Sequence, residues 1–227
     1  LPTSYVPPVQ IRSLRETLRH RIRLSRDRAR AKTRIRCVLL KANLPLEDKN
    51  IAGKKARKAL LGLPLLEVLR LELEDLLLQI DFLSERITKV DKRLKTLREE
   101  YPMTERLMDI PGVGLFTALL VLAEIGDIKR FDSPKRLAGY SGLVPGIYQS
   151  ADTRHPRSIT HQGSGYLRWV LVEASQHLVR KPGPLRTFYL RLSKTKGHGK
   201  ALVAVARKLL VGIWFVLRKN EPFCPKI

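Results

Sequence analysis

The sequence has few cysteines. Only Cys37 and Cys224 are present, far apart in the chain. No Cys-x-x-Cys pair exists, which excludes a thioredoxin-type redox motif and a zinc module built on cysteine ligands. A small disulfide-stapled scaffold is excluded too, and we expect the chain to work in a reducing cytosol.

Long apolar runs are missing as well. The most apolar run, Leu209 to Leu217, has nine residues, whereas a helix needs about 20 residues to span a bilayer. We therefore expect no membrane-spanning segment. The first ten residues lack the basic start and apolar stretch of a signal peptide, so we expect a piece of a longer protein.

Acidic residues are scarce: the 227-residue chain has 21 Asp and Glu against 44 Lys and Arg, a formal charge of +23. Residues 1–43 carry 12 basic and two acidic side chains, residues 44–110 carry 13 of each, and residues 111–227 carry 19 and six. A neutral segment between two basic ones predicts that the middle contacts protein while the flanks face an anionic partner. Nucleic acid is the first candidate, since no segment reads as a basic helix lying on a membrane.

The first segment carries a stripe of arginines. Residues from about Val9 to Ala42 contain few helix breakers, and arginines recur there at intervals of three or four, which places them on one face of a helix. Guanidinium groups bind phosphate oxygens in pairs, so this stripe predicts contact with a nucleic-acid backbone, with a solvated face as the alternative. The arginine stripe consists of Arg12, Arg15, Arg19, Arg23, Arg26, Arg30 and Arg34, and a second, apolar face consists of Leu14, Leu18 and Ile22.

The middle segment has a heptad pattern. From Leu66 to Leu97, apolar residues alternate at intervals of three and four without a fault, which is typical of a coiled coil. Such a stripe needs a partner helix. We predict that a second copy provides it, giving a dimer or tetramer. The alternative is an αα-hairpin, in which the basic helix folds back across residues 45–62.

A glycine-containing turn opens the third segment. The sequence IPGVG at residues 110–114 separates a short predicted helix from an apolar helix over about Leu115 to Ile125. This order is a helix-hairpin-helix signature. Gly112 and Gly114 permit a tight turn, whose N–H groups at the next helix start can bind phosphate. A turn between two core helices is the alternative.

Two further motifs follow this turn: LAGYSGLVP at residues 137–145 and THQGSGYLR at residues 160–168. With them, the run from Ile110 to Glu173 resembles the C-terminal transposase domain of the insertion-sequence one-ten (one-sixteen, nine-oh-two) family, relatives of the Piv-type DNA invertases. The extended Val-Pro-Pro, the arginine-rich helix and the leucine-rich coiled coil look like that family's middle region.

The resemblance implies a serine nucleophile in the polar loop after Gly-Leu-Val-Pro, which here falls on Ser150. The family commonly has Ser-Gly at this point, whereas Ala151 follows Ser150 here. The resemblance also implies a RuvC-like nuclease domain before Leu1. That domain would supply Mg²⁺, and we expect no cofactor in this chain. DNA, a structured guide RNA and dimeric or tetrameric synapsis are the implied partners, in the cytoplasm and at the nucleoid of a bacterium or archaeon.

The serine chemistry needs positive charge nearby. A serine oxygen that attacks a phosphodiester keeps the bond energy in a phosphoserine, so strands can be rejoined. Basic side chains can meet the charge that develops on the phosphoryl oxygens. The expected donors are Arg154, His155 and Arg157, with His161 and Arg168 as further phosphate contacts, and the competing serines are Ser141, Ser158 and Ser164.

We predict an all-α, mainly helical fold with a basic linker helix over residues 1–43, a coiled-coil region over 44–100 and a compact domain over 101–227. Only Ile147 to Gln149 invites a short strand. The predicted function is the C-terminal portion of a DNA transposase or site-specific recombinase from a mobile element, inactive without its nuclease domain. A non-catalytic DNA- or RNA-binding protein and a degenerate transposase remnant are the alternatives.

Overall fold

Helices make up most of the computed structural model, which describes residues 5–44, 51, 53–150, 153–160 and 162–224. The all-α prediction is confirmed. The sheet found in this part of the chain is a two-stranded antiparallel hairpin. The helices are α1 (Val9–Lys41), α2 (Lys54–Leu61), α3 (Glu67–Leu97), α4 (Met103–Met108), α5 (Leu115–Ile125), α6 (Pro134–Ser141), α7 (Gly165–Leu178), α8 (Pro184–Lys196) and α9 (His198–Lys219), and the strands are β1 (Pro145–Ser150) and β2 (Thr153–Ile159).

The chain divides into two compact units. The first contains residues 1–15 and 95–227, and the second contains residues 16–94. In the second unit, α1 and α3 run antiparallel, because partner numbers fall along α3 as they rise along α1. The contacts that set this register are Arg21 with Asp91 (2.9 and 3.2 Å), Arg28 with Ser84 (3.3 Å) and Lys41 with Glu72 (3.7 Å).

The heptad stripe of α3 is buried inside this helical hairpin. Leu73, Ile80 and Leu94 are at most 2% exposed, and Ile35 and Val38 of α1 are fully buried. Residues of α1, α2 and α3 share one apolar cluster. The heptads therefore have a partner helix within the chain, which agrees with the alternative of an intrachain αα-hairpin. Self-association with a second copy stays a prediction.

The short helix α2 is tied to α3 by an ion pair. The Arg57 guanidinium donates to both carboxylate oxygens of Asp81, one of them at 2.6 Å. These hydrogen bonds hold the pKa of the Asp81 carboxyl below its usual range. Because the side chain of Asp81 is 56% exposed, solvent screens the pair and its contribution to stability is small.

In the first unit, α9 lies at the centre and packs against α4, α6, α7 and α8. The Trp214 indole N–H donates to the carbonyl of Phe131 at 2.9 Å, which satisfies a polar group inside the core. Side-chain caps define two helix starts. Ser133 accepts from the Arg136 N–H at α6, and Ser164 accepts from the Leu167 N–H at α7.

Two substitutions on α3 distinguish its buried face from its exposed face. Ile80→Ala should lower the free energy of unfolding by about 2–5 kcal/mol, because it opens a cavity in the α1–α3 interface. Leu78→Ala is the matched control: Leu78 is 67% exposed, and its change should stay within about 0.5 kcal/mol. Urea unfolding followed by circular dichroism measures both. Equal costs would contradict the burial of the heptads in this hairpin.

Candidate functional site

The β-hairpin that carries Ser150 begins and ends at two interlocked glycine turns. Gly142, just after α6, has φ +68°, and Gly163, just before α7, has φ +82°. A Cβ on Gly142 would overlap the carbonyl oxygen of Gln162, and one on Gly163 would overlap that of Tyr140. Only glycine therefore fits at either position. Each turn packs closely against the backbone of the other. Together they fix the foot of the hairpin, which is the part where β1 begins and β2 ends.

Arg168 ties the same two turns together from α7. Its Nη1 donates to the carbonyl oxygens of Ser141 at 2.9 Å and Gln162 at 3.3 Å. Ser141 is fully buried, and its hydroxyl donates to the Ala138 carbonyl at 2.8 Å. Arg168 was predicted to contact phosphate. In the structure it also supports the hairpin from inside the chain.

A buried carboxylate lies beneath this foot. Glu124, near the end of α5, is 1% exposed, and its Oε2 accepts from the Ser164 hydroxyl at 2.8 Å. Its backbone carbonyl accepts from the Tyr140 hydroxyl at 3.1 Å. Glu124 was not among the site residues predicted from the sequence. The signal was available, because Glu124 is the single charged residue in the apolar helix α5.

Arg15 differs from the other members of the arginine stripe. Its guanidinium donates to the Ala123 carbonyl at 3.1 and 2.7 Å and lies 4.0 Å from the Glu124 carboxylate. A cation there also suits the negative end of the α5 dipole. The expectation that Arg15 faces nucleic acid is corrected, because its charge is used inside the first unit.

The remaining stripe arginines are solvent-accessible. Arg12, Arg23, Arg26, Arg30 and Arg34 are exposed and Arg19 is half-buried. Some have acidic neighbours on the same helix: Arg19 and Arg23 lie 3.7 and 3.6 Å from the Glu16 carboxylate, and Arg30 lies 3.1 Å from Asp27. These exposed pairs are weak and leave the guanidinium groups accessible to another anion.

Ser150 is the last residue of β1, where its backbone pairs with Thr153 of β2. Further along the register, Tyr148 lies opposite His155 and Gln149 opposite Arg154. The predicted short strand is thus part of a longer hairpin. The side chains of residues 147–158, among them Ser150, Arg154, His155, Arg157 and Ser158, and the whole of His161 lie outside the described part of the structure.

Two of the competing serines have structural roles. The Ser141 hydroxyl is buried and hydrogen-bonded within the α6 end. Ser164 caps α7 and also donates to Glu124. Neither hydroxyl can leave these partners without exposing buried polar groups. The side chains of Ser150 and Ser158, the other two serines of the original set, lie outside the described part of the structure.

The predicted helix-hairpin-helix turn joins α4 to α5. Gly112 has φ +86°, and a Cβ there would lie 2.7 Å from the Ala174 carbonyl of α7. Its role is close packing against that helix. Gly114 precedes α5 with open space around it and no side-chain cap on the helix. A phosphate contact by this turn stays a prediction, and Gly114 offers the more accessible backbone.

The described residues contain no group of three or more His, Cys, Asp and Glu side chains able to hold a metal ion. The described side chains therefore do not fit a Mg²⁺ site. None of the described helices combines the length and the apolar character needed to cross a membrane.

Comparison with known proteins identifies the region that holds this hairpin. Residues 104–190 match the Transposase IS116/IS110/IS902 family. This part of the chain is similar to the transposase domain of that family. The resemblance seen in the motifs is thereby confirmed.

Three relatives illustrate the similarity. The chain is 31% identical over 144 residues to the transposase for insertion sequence element IS1111A of Coxiella burnetii, covering 62% of this chain and 40% of that protein. It is 32% identical over 151 residues to the pilin gene-inverting protein of Moraxella bovis, covering 63% and 47%. It is 29% identical over 156 residues to an insertion element IS116 protein of Streptomyces clavuligerus, covering 66% and 38%. The matched region spans less than half of each relative.

Two glycine substitutions test the interlocked foot. Gly163→Ala should lower the free energy of unfolding by at least about 1–3 kcal/mol, because alanine resists φ +82° and its methyl group overlaps Tyr140. Gly139→Ala is the control: Gly139 lies in α6 with open space around it, and the change should be neutral or stabilise by up to about 1 kcal/mol. Thermal unfolding measures both, and an unaffected Gly163→Ala variant would disprove the interlock.

Proposed function

We propose that this chain is the DNA-handling portion of a transposase or site-specific recombinase and that Ser150 is its nucleophile. The main observation behind this proposal is that Ser150 ends strand β1 of a hairpin whose foot is fixed. This hairpin lies inside the region that matches the transposase family. Support also comes from the structural roles of Ser141 and Ser164, which remove them as rivals. The relatives' names, transposase and pilin gene-inverting protein, favour DNA rearrangement.

In the proposed step, the Ser150 oxygen bonds to a phosphorus atom of DNA as the bond from phosphorus to one deoxyribose oxygen breaks. The serine proton goes to a base, and the leaving oxygen gains a proton to become a hydroxyl. A hydroxyl of another strand then attacks the phosphoserine, which rejoins DNA and releases Ser150. Arg154, His155 and Arg157 would donate to the charged phosphoryl oxygens.

The base and Mg²⁺ are proposed to come from a RuvC-like nuclease domain joined to this chain. We also propose that a structured RNA guides the choice of the DNA site. The protein would act at the nucleoid, in the cytoplasm. Two DNA ends must meet, so the active form is a dimer or tetramer. Because α1 covers the apolar stripe of α3, the proposal places the contact surface of this assembly elsewhere in the protein.

The exposed arginines of α1 are proposed to bind the DNA backbone. Replacing Arg23, Arg26, Arg30 and Arg34 together with Gln should flatten the plot of log affinity against log salt by up to about 0.9 per lost phosphate contact. Fluorescence anisotropy with a duplex over a salt series measures the slope. Arg15→Gln is the control, because it should lower thermal stability and leave the slope unchanged. An unchanged slope in the quadruple variant would refute the backbone role of these arginines.

Ser150→Ala, made in the protein that includes the nuclease domain, should abolish recombination of a plasmid substrate and leave DNA binding intact. Loss of a nucleophile removes the covalent step, whereas loss of a hydroxyl contact costs only about 1 kcal/mol. Ser158→Ala is the matched control in the same hairpin and should retain activity. A denaturing gel detects the protein–DNA adduct. An adduct mapped to Ser158 or Ser164, or substantial recombination by Ser150→Ala, would overturn the assignment.

A further inference from the structure

The two ends of the α1–α3 hairpin differ in how their charges face one another. At one end, residues 29–41 of α1 carry five basic and no acidic side chains, opposite residues 71–83 of α3 with four acidic and no basic ones. At the other end, residues 17–28 carry five basic and one acidic side chain, opposite residues 84–94 with four basic and two acidic ones. The first end is complementary, and the second joins like charges.

Acidic side chains at the second end do little to offset this positive charge. Asp91 is held by Arg21 at 2.9 and 3.2 Å, and Asp27 lies 3.1 Å from Arg30. Among the described residues, no carboxylate forms an ion pair with Arg86 or Lys89. Helices with like charge repel each other unless an outside anion compensates. This end of the hairpin is therefore suited to an anionic partner.

The positive charges at this end surround an open pocket of about 220 Å³, lined by Thr17, His20, Arg86, Lys89, Val90 and Arg93. The three α3 cations are spaced three and four residues apart, so they share one helix face. His20 and all three cations are exposed. The Arg86 guanidinium lies 5.5 Å from the centre of the Phe82 ring, which orients it.

We infer that this pocket binds a phosphate of the duplex DNA backbone, an inference that rests on the proposed DNA-handling function. Arginine, lysine and a hydroxyl donate hydrogen bonds to phosphate oxygens, and the pocket lining contains no carboxylate that would repel them. No Phe, Tyr or Trp ring lines the pocket, and the side chains of Arg86, Lys89 and Arg93 make cations its main feature. Its open mouth suits a phosphate that stays within a continuous strand.

The charge of the middle segment is unevenly distributed along α3. Residues 44–110 are neutral overall, and we assigned that segment to contacts among proteins. The net charge of this segment is near zero because an acidic half and a basic half of α3 cancel. In α3, residues 67–85 hold six acidic and one basic side chain, whereas residues 86–97 hold five basic and one acidic one. The basic half is the part that lines the pocket.

The test compares two triple variants that remove the same charge from the second unit. Arg86, Lys89 and Arg93 are changed to Gln in one, and the exposed Lys41, Lys55 and Lys58 are changed to Gln in the other. The slope of log affinity for duplex DNA against log salt should fall by about 0.9 in the pocket variant, the value for one lost phosphate contact, and should stay nearly unchanged in the control. Circular dichroism verifies that both are folded.

A single variant keeps the test decisive if the triple pocket variant unfolds. Lys89→Glu changes an exposed residue and should weaken duplex binding about three- to tenfold at moderate salt, because it replaces a phosphate donor with a repelling charge. Unchanged affinity in this variant would overturn the inference.

The possible outcomes separate this inference from the proposed function. If the unaltered chain fails to bind duplex DNA, the proposed function fails. If it binds and both triple variants lose equal slope, the pocket inference is overturned and the proposed function stands. A structured RNA hairpin serves as the second probe: a pocket variant that loses RNA binding and keeps DNA binding would also overturn the inference.

Discussion

A carboxyl group inside a protein core must have hydrogen-bond partners, and this requirement organises the first unit around Glu124. Its donors and those of its backbone come from distant parts of the sequence: Ser164 at the start of α7, Tyr140 in α6 and Arg15 in α1. Removing one partner would leave a buried polar group incompletely hydrogen-bonded, which is more costly than losing an exposed contact. Glu124 therefore links the helices that meet at the foot of the hairpin, together with the glycine turns and Arg168.

The spacing of apolar residues predicted the long helices well, but it did not predict which helix packs against them. The helix expected from about Val9 to Ala42 is Val9–Lys41, and the heptad segment forms Glu67–Leu97. A three-four repeat specifies which face of a helix is apolar, but it carries no information about which helix covers that face. The covering helix is α1 of the same chain, and this outcome depends on how residues between the helices return the chain.

The candidate site shows the same limit at single residues. Arg15 and Arg23 occupy equivalent positions in the arginine stripe, yet one binds carbonyls at the end of α5 and the other is exposed. Their difference comes from tertiary neighbours that no spacing rule contains. The Ser150 strand was visible in Ile147 to Gln149, but its extent and its pairing with β2 depend on the interlocked turns at Gly142 and Gly163.

The interlocked turns divide the hairpin into a fixed part and a replaceable part. Val144 and Thr160 are joined by a backbone hydrogen bond of 3.1 Å next to the turns, so the two strands leave the domain at a set separation. Residues beyond that point can change in length or sequence without altering the helices that hold them. A domain of this kind can keep one scaffold while the sequence at the tip of the hairpin changes.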